Sequence, residues 1–249
     1  MRKYTLLFAA LVVSLFAVSY ANPASAQATR TWVSGVGDDA NPCSRTAPCK
    51  TFAGAISKTA VSGEINCLDS GGFGTVTIAK SLTIKCEGVI GGVLAAAVSG
   101  IIINSATAKV VLEGLDINGA GTGIVGIRVI AASKVDVIRS TISGMGTGIT
   151  VEGNGTHVFV NNSFIMNNST GGVDVFGTSN IASITNTSLL SNGFAVRANS
   201  ATAIIGIQSS VLNDSTNSIS RVVGAQVISV GPSNLVSGAG TFTSTIPFL

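Results

Sequence analysis

Aliphatic residues recur at intervals of about 23 residues along most of the chain, and this repeat limits the possible folds more than any other feature of the sequence. One column of the repeat has spacings of 25, 23, 24, 23 and 23 residues: Leu112, Val137, Val160, Ile184, Ile207 and Val230. A second column follows five residues later in every copy: Ile117, Ile142, Ile165, Leu189, Leu212 and Leu235. Because the two columns keep step, they belong to one unit that the chain repeats.

A third apolar column lies later in each copy, and each member is followed two positions later by a partner facing the same way. The members are Ile127, Ile149, Val173, Val196 and Ile219, and the partners are Val129, Val151, Val175, Ala198 and Arg221. Gly, Asn and Ser separate the columns, and these residues favour turns. Apolar and polar residues alternate within segments such as 148–151 and 172–175, which predicts short strands with one side in the core.

A single copy of the repeat cannot bury its apolar side, whereas stacked copies share one continuous aliphatic core. We therefore predict an all-β fold, a single-stranded right-handed parallel β-helix over residues 61–249, preceded by a cap region at residues 27–60. A helical solenoid of similar period is disfavoured because the repeat is rich in β-branched residues, Gly and Asn. A left-handed β-helix would require hexapeptide repeats, which the sequence lacks.

Both ends of such a cylinder need a cover for their unpaired strand edges. Apolar residues at helical spacing within residues 51–58 predict a short helix that plugs the N-terminal end. They are Phe52, Ala55 and Ile56. At the C-terminal end we expect Phe242, Ile246 and Phe248 to lie back over the last coil. Pro247 would block further strand pairing there.

Residues 1–26 have the features of a secretory signal: the basic residues Arg2 and Lys3, an apolar run at 6–18 and a small-residue cleavage site at 24–26. We expect an exported protein located in the periplasm, at the cell surface or in the medium. The alternative is a retained membrane anchor, although the apolar run is short for a membrane span. The mature chain would be close to neutral, which argues against nucleic acid as a partner.

Four cysteines lie in the first third of the mature chain, and export permits them to form disulfides. Three pairings are possible, and we favour Cys43 with Cys49 and Cys67 with Cys86. The 19 positions between the latter two equal one short coil, and stacked parallel strands lie about 4.8 Å apart, within reach of a disulfide. Four buried free thiols are the alternative. Metal ligation is less favoured, because the sequence has no CxxC pair.

The segments WVSGVGDDANPCSRTAPCKTFAGAI (32–56) and GEINCLDSGGFGTVTIAKSLTIKCEG (63–88) resemble the opening of bacterial right-handed β-helix proteins in the pectin-lyase-like superfamily. With the repeats that follow, the resemblance extends over nearly the whole mature chain. It implies an elongated exported protein of a kind often found at cell surfaces or acting on polysaccharides. The superfamily includes lyases, hydrolases, esterases, adhesins and members without known activity, so the resemblance does not select among them.

One outward row of the repeat carries the best candidate for ligand binding. It consists of Arg128, Thr150, Asp174, Arg197 and Ser220. Within it, Arg128, Asp174 and Arg197 form an arrangement suited to an acidic sugar, since guanidinium groups pair well with carboxylates. The alternative is a solvated face with a weak ion pair.

The sequence offers little evidence for catalysis or cofactors. A polysaccharide hydrolase needs two or three converging carboxylates, and the coil alignment brings no two acids into the same outward row on adjacent coils. Asp38, Asp39 and Asn41 supply oxygen ligands for calcium, but their spacing matches no EF-hand-like loop. We therefore expect no metal and no cofactor, with calcium as an unsupported alternative. We interpret His157 as a turn residue.

The sequence therefore predicts an exported β-helix scaffold, without catalytic residues, that binds carbohydrate or another cell-surface component. The alternatives are a polysaccharide lyase that uses the row around Asp174 and an adhesin-like surface protein.

Overall fold

The computed structural model describes residues 27–247, except for the side chains of residues 214–216, and in this part the chain forms a parallel β-helix of about seven coils. The predicted all-β fold is confirmed. The expected signal segment at residues 1–26 and Phe248 lie outside the described residues.

The first face of the β-helix is a ten-stranded parallel sheet, which includes strands from the coils and from the segments at both ends. In spatial order its strands are β1 (Ala28–Val33), β2 (Thr59–Cys67), β5 (Leu82–Lys85), β8 (Lys109–Glu113), β10 (Lys134–Ile138), β12 (His157–Asn161), β15 (Ile181–Thr185), β18 (Ile204–Gln208), β20 (Gln226–Val230) and β22 (Ser244–Ile246). Neighbouring strands are parallel because each coil returns the chain to the same face one strand further along.

A twelve-stranded sheet forms the second and third faces, because three long strands run through both of them. These are β9 (Leu115–Ala131), β11 (Thr141–Val151) and β19 (Val211–Arg221). The second face also contains β3 (Gly71–Gly72), β6 (Gly91–Leu94), β13 (Phe164–Met166), β16 (Ser188–Leu190) and β21 (Leu235–Ala239). The third face also contains β4 (Val76–Ile78), β7 (Ile101–Asn104), β14 (Gly171–Val175) and β17 (Phe194–Ala198).

The aliphatic columns stack as predicted except in the last coil. The third column is in register throughout, as the pairs Ile149–Ile127 and Val196–Ile219 illustrate. In the last coil, however, Ser229 lies opposite Ile207 where the sequence predicts Val230. Val236 likewise replaces Leu235 in the second column.

The shift in the first column has a physical cause at Ser229. The Ser229 hydroxyl is buried and donates to the Gly231 carbonyl oxygen at 3.1 Å. It also accepts from the Asn234 side-chain amide at 2.8 Å. A polar residue with satisfied hydrogen bonds therefore occupies a core position that an apolar pattern assigns to its neighbour.

A repeated turn connects the first face to the second. Its first residue has a left-handed backbone conformation with φ between 47° and 71° in five successive coils: Gly114, Arg139, Asn162, Asn186 and Ser209. A buried hydroxyl residue follows in most coils and bonds the coils together. The Ser163 hydroxyl, for example, accepts from the backbone N–H of Ser140 at 3.2 Å and donates to the Asn161 carbonyl at 2.9 Å.

The predicted capping helix is present as α1 (Phe52–Lys58). Thr51 caps its N-terminus, because the Thr51 hydroxyl accepts from the backbone N–H of Gly54 at 2.9 Å. Phe52 is fully buried, and its ring lies 5.2 Å from that of Phe73. The helix therefore joins its apolar side to the N-terminal end of the core.

The C-terminal end differs from the prediction at one residue. Phe242 packs partly buried against the core, as expected. Ile246 instead lies in β22, where it pairs with Val230 and is 49% exposed. An additional strand on the first face thus takes the place of the expected Ile246 cover.

Both predicted disulfides are present in the first coils. Cys43 and Cys49 are linked with a Cα–Cα distance of 4.6 Å, and Cys67 and Cys86 with a distance of 4.8 Å. The second bond continues the register of β2 and β5, in which Asn66 lies opposite Lys85.

Candidate functional site

The outward row predicted from the sequence lies on the third face and is in register along five strands. We call it the polar row: Arg128, Thr150, Asp174, Arg197 and Ser220. Successive members are about 4.8 Å apart, since each belongs to the next strand of a parallel sheet. The sequence therefore predicted which residues are neighbours here, and their side-chain contacts determine what the row can bind.

Arg128 forms an ion pair with a carboxylate of the same chain. Its Nε and Nη2 donate to Oε1 and Oε2 of Glu152 at 2.8 and 3.0 Å. The Thr150 hydroxyl donates to the same Oε1 at 3.2 Å. The hydrogen bond to Glu152 raises the pKa of Arg128. Sequence reasoning missed Glu152 because this residue lies just beyond the end of β11, outside the row itself.

Arg197 forms an ion pair in the same way with Asp174. The guanidinium Nε donates to Asp174 Oδ2 at 3.0 Å, and the group stacks 4.4 Å from the centroid of the Phe194 ring. Asp174 is only 1% exposed, and Oδ1 of its carboxylate is buried without a hydrogen-bond partner. Burial raises the pKa of Asp174, and the hydrogen bond and charge of Arg197 offset this only in part. Both arginines of the polar row are thus neutralised within the chain.

An open groove lies beside the second face, where residues 86–90 form a long turn. It is a groove of about 500 Å³. We call it the turn groove, and its polar and apolar walls include Ser70, Glu87, Ile90, Asp116, Arg139 and Thr141. The volume lies within the range of small-ligand sites.

Charged side chains from several coils meet in and beside the turn groove. Arg139 forms a close ion pair with Glu113 and lies 3.8 Å from a carboxylate oxygen of Glu87. Lys85 lies 2.9 Å from the other Glu87 oxygen, and its hydrogen bond lowers the pKa of Glu87. Asp116 is exposed and has no side-chain partner among residues 27–247. The groove therefore has an acidic character with one uncommitted carboxylate.

The coil alignment missed this cluster because it compares strands, whereas Glu87 and Arg139 lie in turns. Asp116 does belong to an outward row, in which Thr141 and then Phe164 follow on the next two strands. The Phe164 side chain is 49% exposed. An aromatic surface thus continues from the polar end of the turn groove.

The oxygen-rich N-terminal loop has a structural role. Asp39 Oδ1 accepts from the backbone N–H groups of Lys50 and Thr51 at 2.8 and 2.9 Å, and Oδ2 accepts from the Thr51 hydroxyl at 2.7 Å. Partial burial raises the pKa of Asp39, but these hydrogen bonds and the Lys58 charge leave it below its ordinary value. Asp38 and Asn41 bond to the backbone of the same loop.

Neither a metal cluster nor a membrane-spanning helix occurs in the described part of the chain. Within residues 27–247, no three His, Cys, Asp or Glu residues are grouped so that they could hold a metal ion. No helix of this part is long and apolar enough to cross a bilayer.

Comparison with known proteins finds a similar structure but no match in sequence to a family model or a curated protein. The crystal structure of pectate lyase Pel9A is similar, with a TM-score of 0.59 and 14% sequence identity over 81% of this chain and 68% of that chain. At this identity the likeness shows a shared fold, the parallel β-helix.

Proposed function

We propose that this protein is an exported scaffold that binds carbohydrate in the turn groove without cleaving it. The proposal rests on two residues of one outward row. Asp116 has a carboxylate without a side-chain partner, and the exposed ring of Phe164 lies two strands further along. Sugars have hydroxyl groups around their edge and apolar C–H groups on their faces. Such a ligand needs both a polar edge contact and an apolar platform.

The polar contacts come from groups with free hydrogen-bonding capacity. The Asp116 carboxylate accepts from sugar hydroxyl groups, and the hydroxyls of Ser70 and Thr141 in the same groove donate and accept. Hydrogen bonds to a charged group are the stronger kind. Lys85 and Arg139 neutralise Glu87 and Glu113, so the Asp116 carboxylate leaves the groove with a net negative charge. The groove therefore favours neutral or amine-bearing sugars over acidic ones.

The surroundings of Asp174 and Glu87 support binding over glycoside hydrolysis. Hydrolysis needs a carboxyl group with a raised pKa that reaches the glycosidic oxygen. In the described chain, burial raises the pKa of Asp174, but this residue is 1% exposed and pairs with Arg197. The pKa of Glu87, in the turn groove, is lowered.

The polar row offers neither a free base nor a free cation for a lyase mechanism. Such a reaction needs a base and a cation that contacts the substrate carboxylate. Arg128 and Arg197 each donate to a carboxylate of the protein itself, and Asp174 is covered. We therefore propose that the polar row stabilises the third face.

Export is supported by the covalent structure. Two disulfides close the first coils, and such bonds persist in oxidising compartments. Together with the sequence of residues 1–26, they support a location outside the cytoplasm.

A glycan array of neutral, amino and acidic oligosaccharides tests the proposal with the wild type and two groove variants. We expect Asp116→Asn and Phe164→Ala each to weaken binding of a neutral or amino sugar about tenfold. Leu235→Ala is the matched apolar control, because Leu235 is 67% exposed in the same outward row as Phe164. Asp38→Asn is the matched acidic control in the N-terminal loop.

Two results would contradict the proposal. One is sugar binding that neither groove variant changes. The other is release of unsaturated uronate from an acidic polysaccharide, with loss of that release in Arg197→Ala, because it would place lyase chemistry on the polar row.

A further inference from the structure

A second opening lies on the outer surface of the first face and has the opposite charge character. It is a hollow of about 290 Å³. We call it the basic hollow, and it is lined by Lys109, Ser133, Lys134, Gly155, His157 and Phe159. His157, which we interpreted as a turn residue, is in fact the first residue of β12 and is exposed.

Three basic side chains follow one another along this hollow. Lys134 lies opposite Lys109 on one neighbouring strand and opposite His157 on the other. Adjacent strands place them about 4.8 Å apart. They therefore form a short ladder along the axis of the β-helix.

Most of this ladder has no counter-ion within the protein. Lys134 pairs with Asp136 at 3.0 Å. The side chains of Lys109 and His157 have no partner in the described chain. The hollow therefore retains an uncompensated positive charge at Lys109, with the imidazole of His157 as a further hydrogen-bonding group.

An exposed aromatic ring borders the ladder. Phe159 is 37% exposed, and the Lys134 ammonium lies 4.8 Å from its ring centroid. On the other side of the ring is a further hollow of about 220 Å³ lined by Asp136, Asn161 and Ser183, among others. The Asn161 Oδ1 atom is buried there without a hydrogen-bond partner.

The surface beyond Phe159 is open along the axis. Ser183 and then Gly206 follow Phe159 in the same outward row. No atom lies within 4 Å of the position that a Cβ on Gly206 would take. Small residues thus leave a shallow furrow of about 10 Å, two strand spacings, running from the ring.

We propose that the basic hollow and Phe159 bind a polysaccharide that carries sulfate or phosphate esters. A sugar ring packs on Phe159, its ester group contacts Lys109 and His157, and the chain continues along the furrow. The lysine ammonium is a compact point charge that binds phosphate and sulfate oxygens. A sulfate or phosphate ester offers three terminal oxygens to the side chains of Lys109 and His157, whereas a carboxylate offers two. The site shares no residue with the turn groove, so each proposal can fail alone.

Binding to three polymers with one backbone tests the proposal: dextran, dextran sulfate and phosphorylated dextran. Polygalacturonate, which has a different backbone, supplies the carboxylate comparison. We expect the two esters to bind, with an affinity that falls as salt concentration rises, and the others to bind at least tenfold more weakly. The sulfate and phosphate arms identify which ester is preferred. Preferred binding of polygalacturonate, or equal binding of plain dextran, would overturn the proposal.

Variants locate the site. We expect Lys109→Ala and His157→Ala each to weaken dextran sulfate binding up to about fivefold and Phe159→Ala about tenfold. Arg45→Ala is the charge-matched control, since Arg45 is an exposed cation in the N-terminal loop without a side-chain partner in the described chain. Leu235→Ala is the apolar control, because Leu235 is 67% exposed and belongs to neither proposed site. An equal loss in Arg45→Ala and Lys109→Ala would indicate general ion exchange and would overturn the proposal.

Discussion

Arg197 and Asp174 pair across neighbouring strands of the third face, with the arginine partly in solvent and the aspartate beneath it. The side chains are 32% and 2% exposed, respectively, and Arg197 Nε donates to Asp174 Oδ2 at 3.0 Å. The two partners therefore depend on the pair to different extents. Loss of Arg197 leaves a buried anion, whereas loss of Asp174 leaves a cation that still reaches water and the Phe194 ring.

This asymmetry predicts unequal effects on stability. Arg197→Met should lower the free energy of unfolding by about 3–5 kcal/mol, because it leaves a buried charge unpaired. Asp174→Asn should lower it by about 1 kcal/mol. Urea denaturation at neutral pH measures both values. Equal losses would contradict the asymmetry.

Acid should partly rescue the arginine variant. Burial raises the pKa of Asp174 above its ordinary 3.8. The folded state therefore binds a proton at this carboxyl group more readily than the unfolded state does. The contribution of this residue to stability is therefore largest below pH 3.8 and is lost as the pH rises through the raised pKa. Relative to Asp174→Asn, Arg197→Met should gain stability as the pH falls toward 4. A constant difference between the two variants across that range would contradict this sign.

The two disulfides should contribute unequally. Closing a loop restricts the unfolded chain more when the loop is longer, and the sequence separations are 19 residues for Cys67–Cys86 and 6 for Cys43–Cys49. Replacing Cys67 and Cys86 by Ala should lower stability by about 3 kcal/mol, and replacing Cys43 and Cys49 by about 2 kcal/mol. Thermal unfolding of the two double variants checks the order. The reverse order would show that the native-state contacts of the short loop outweigh the loop effect.

In the repeated turn between the first two faces, glycine should stabilise the chain at two positions. Introducing it at position 209 should raise stability, and removing it at position 114 should lower stability. Ser209 adopts φ 47°, a conformation that costs a non-glycine residue about 1–2 kcal/mol, so Ser209→Gly should stabilise the chain by up to about 1 kcal/mol. Gly114 adopts φ 71°, and a Cβ there would overlap the Cys86 carbonyl oxygen. Gly114→Ala should therefore destabilise the chain by more than about 2 kcal/mol. Denaturation midpoints of both variants test the turn geometry.

The stacked core was predictable from the sequence because period and alternation report directly on burial. Val160 and Ile184, for example, lie side by side on neighbouring strands, as the pattern predicts. The pattern failed at Ser229, since hydrogen bonds to Gly231 and Asn234 compensate this buried hydroxyl group and no hydrophobicity rule detects that compensation.

The register in the last coil is itself testable. In the structure Val230 faces outward from the first face and Ser229 faces the core. Because Val230 is half-buried on the outer side of the sheet, Val230→Ser should lower stability by no more than about 1 kcal/mol. Ser229→Ala should cost about 1 kcal/mol, because the Asn234 amide loses a partner. A loss above 2 kcal/mol for Val230→Ser would favour the register expected from the sequence.

The candidate sites were predictable only where they follow strand register. The order of Arg128, Asp174 and Arg197 along the polar row followed from the repeat. The partner of Arg128 did not, because Glu152 reaches it from beyond the end of a strand. The turn groove was missed for a similar reason, since its position depends on the path of an irregular turn that no periodicity describes.

Carbohydrate binding in the turn groove is tested most directly by a crystal structure of the protein with a neutral or amino oligosaccharide selected on the array. We expect a sugar ring on Phe164, a hydroxyl or amine group of the sugar hydrogen-bonded to the Asp116 carboxylate, and an intact glycosidic chain. A sugar bound on the polar row, with Arg197 turned away from Asp174 toward the ligand, would contradict this expectation.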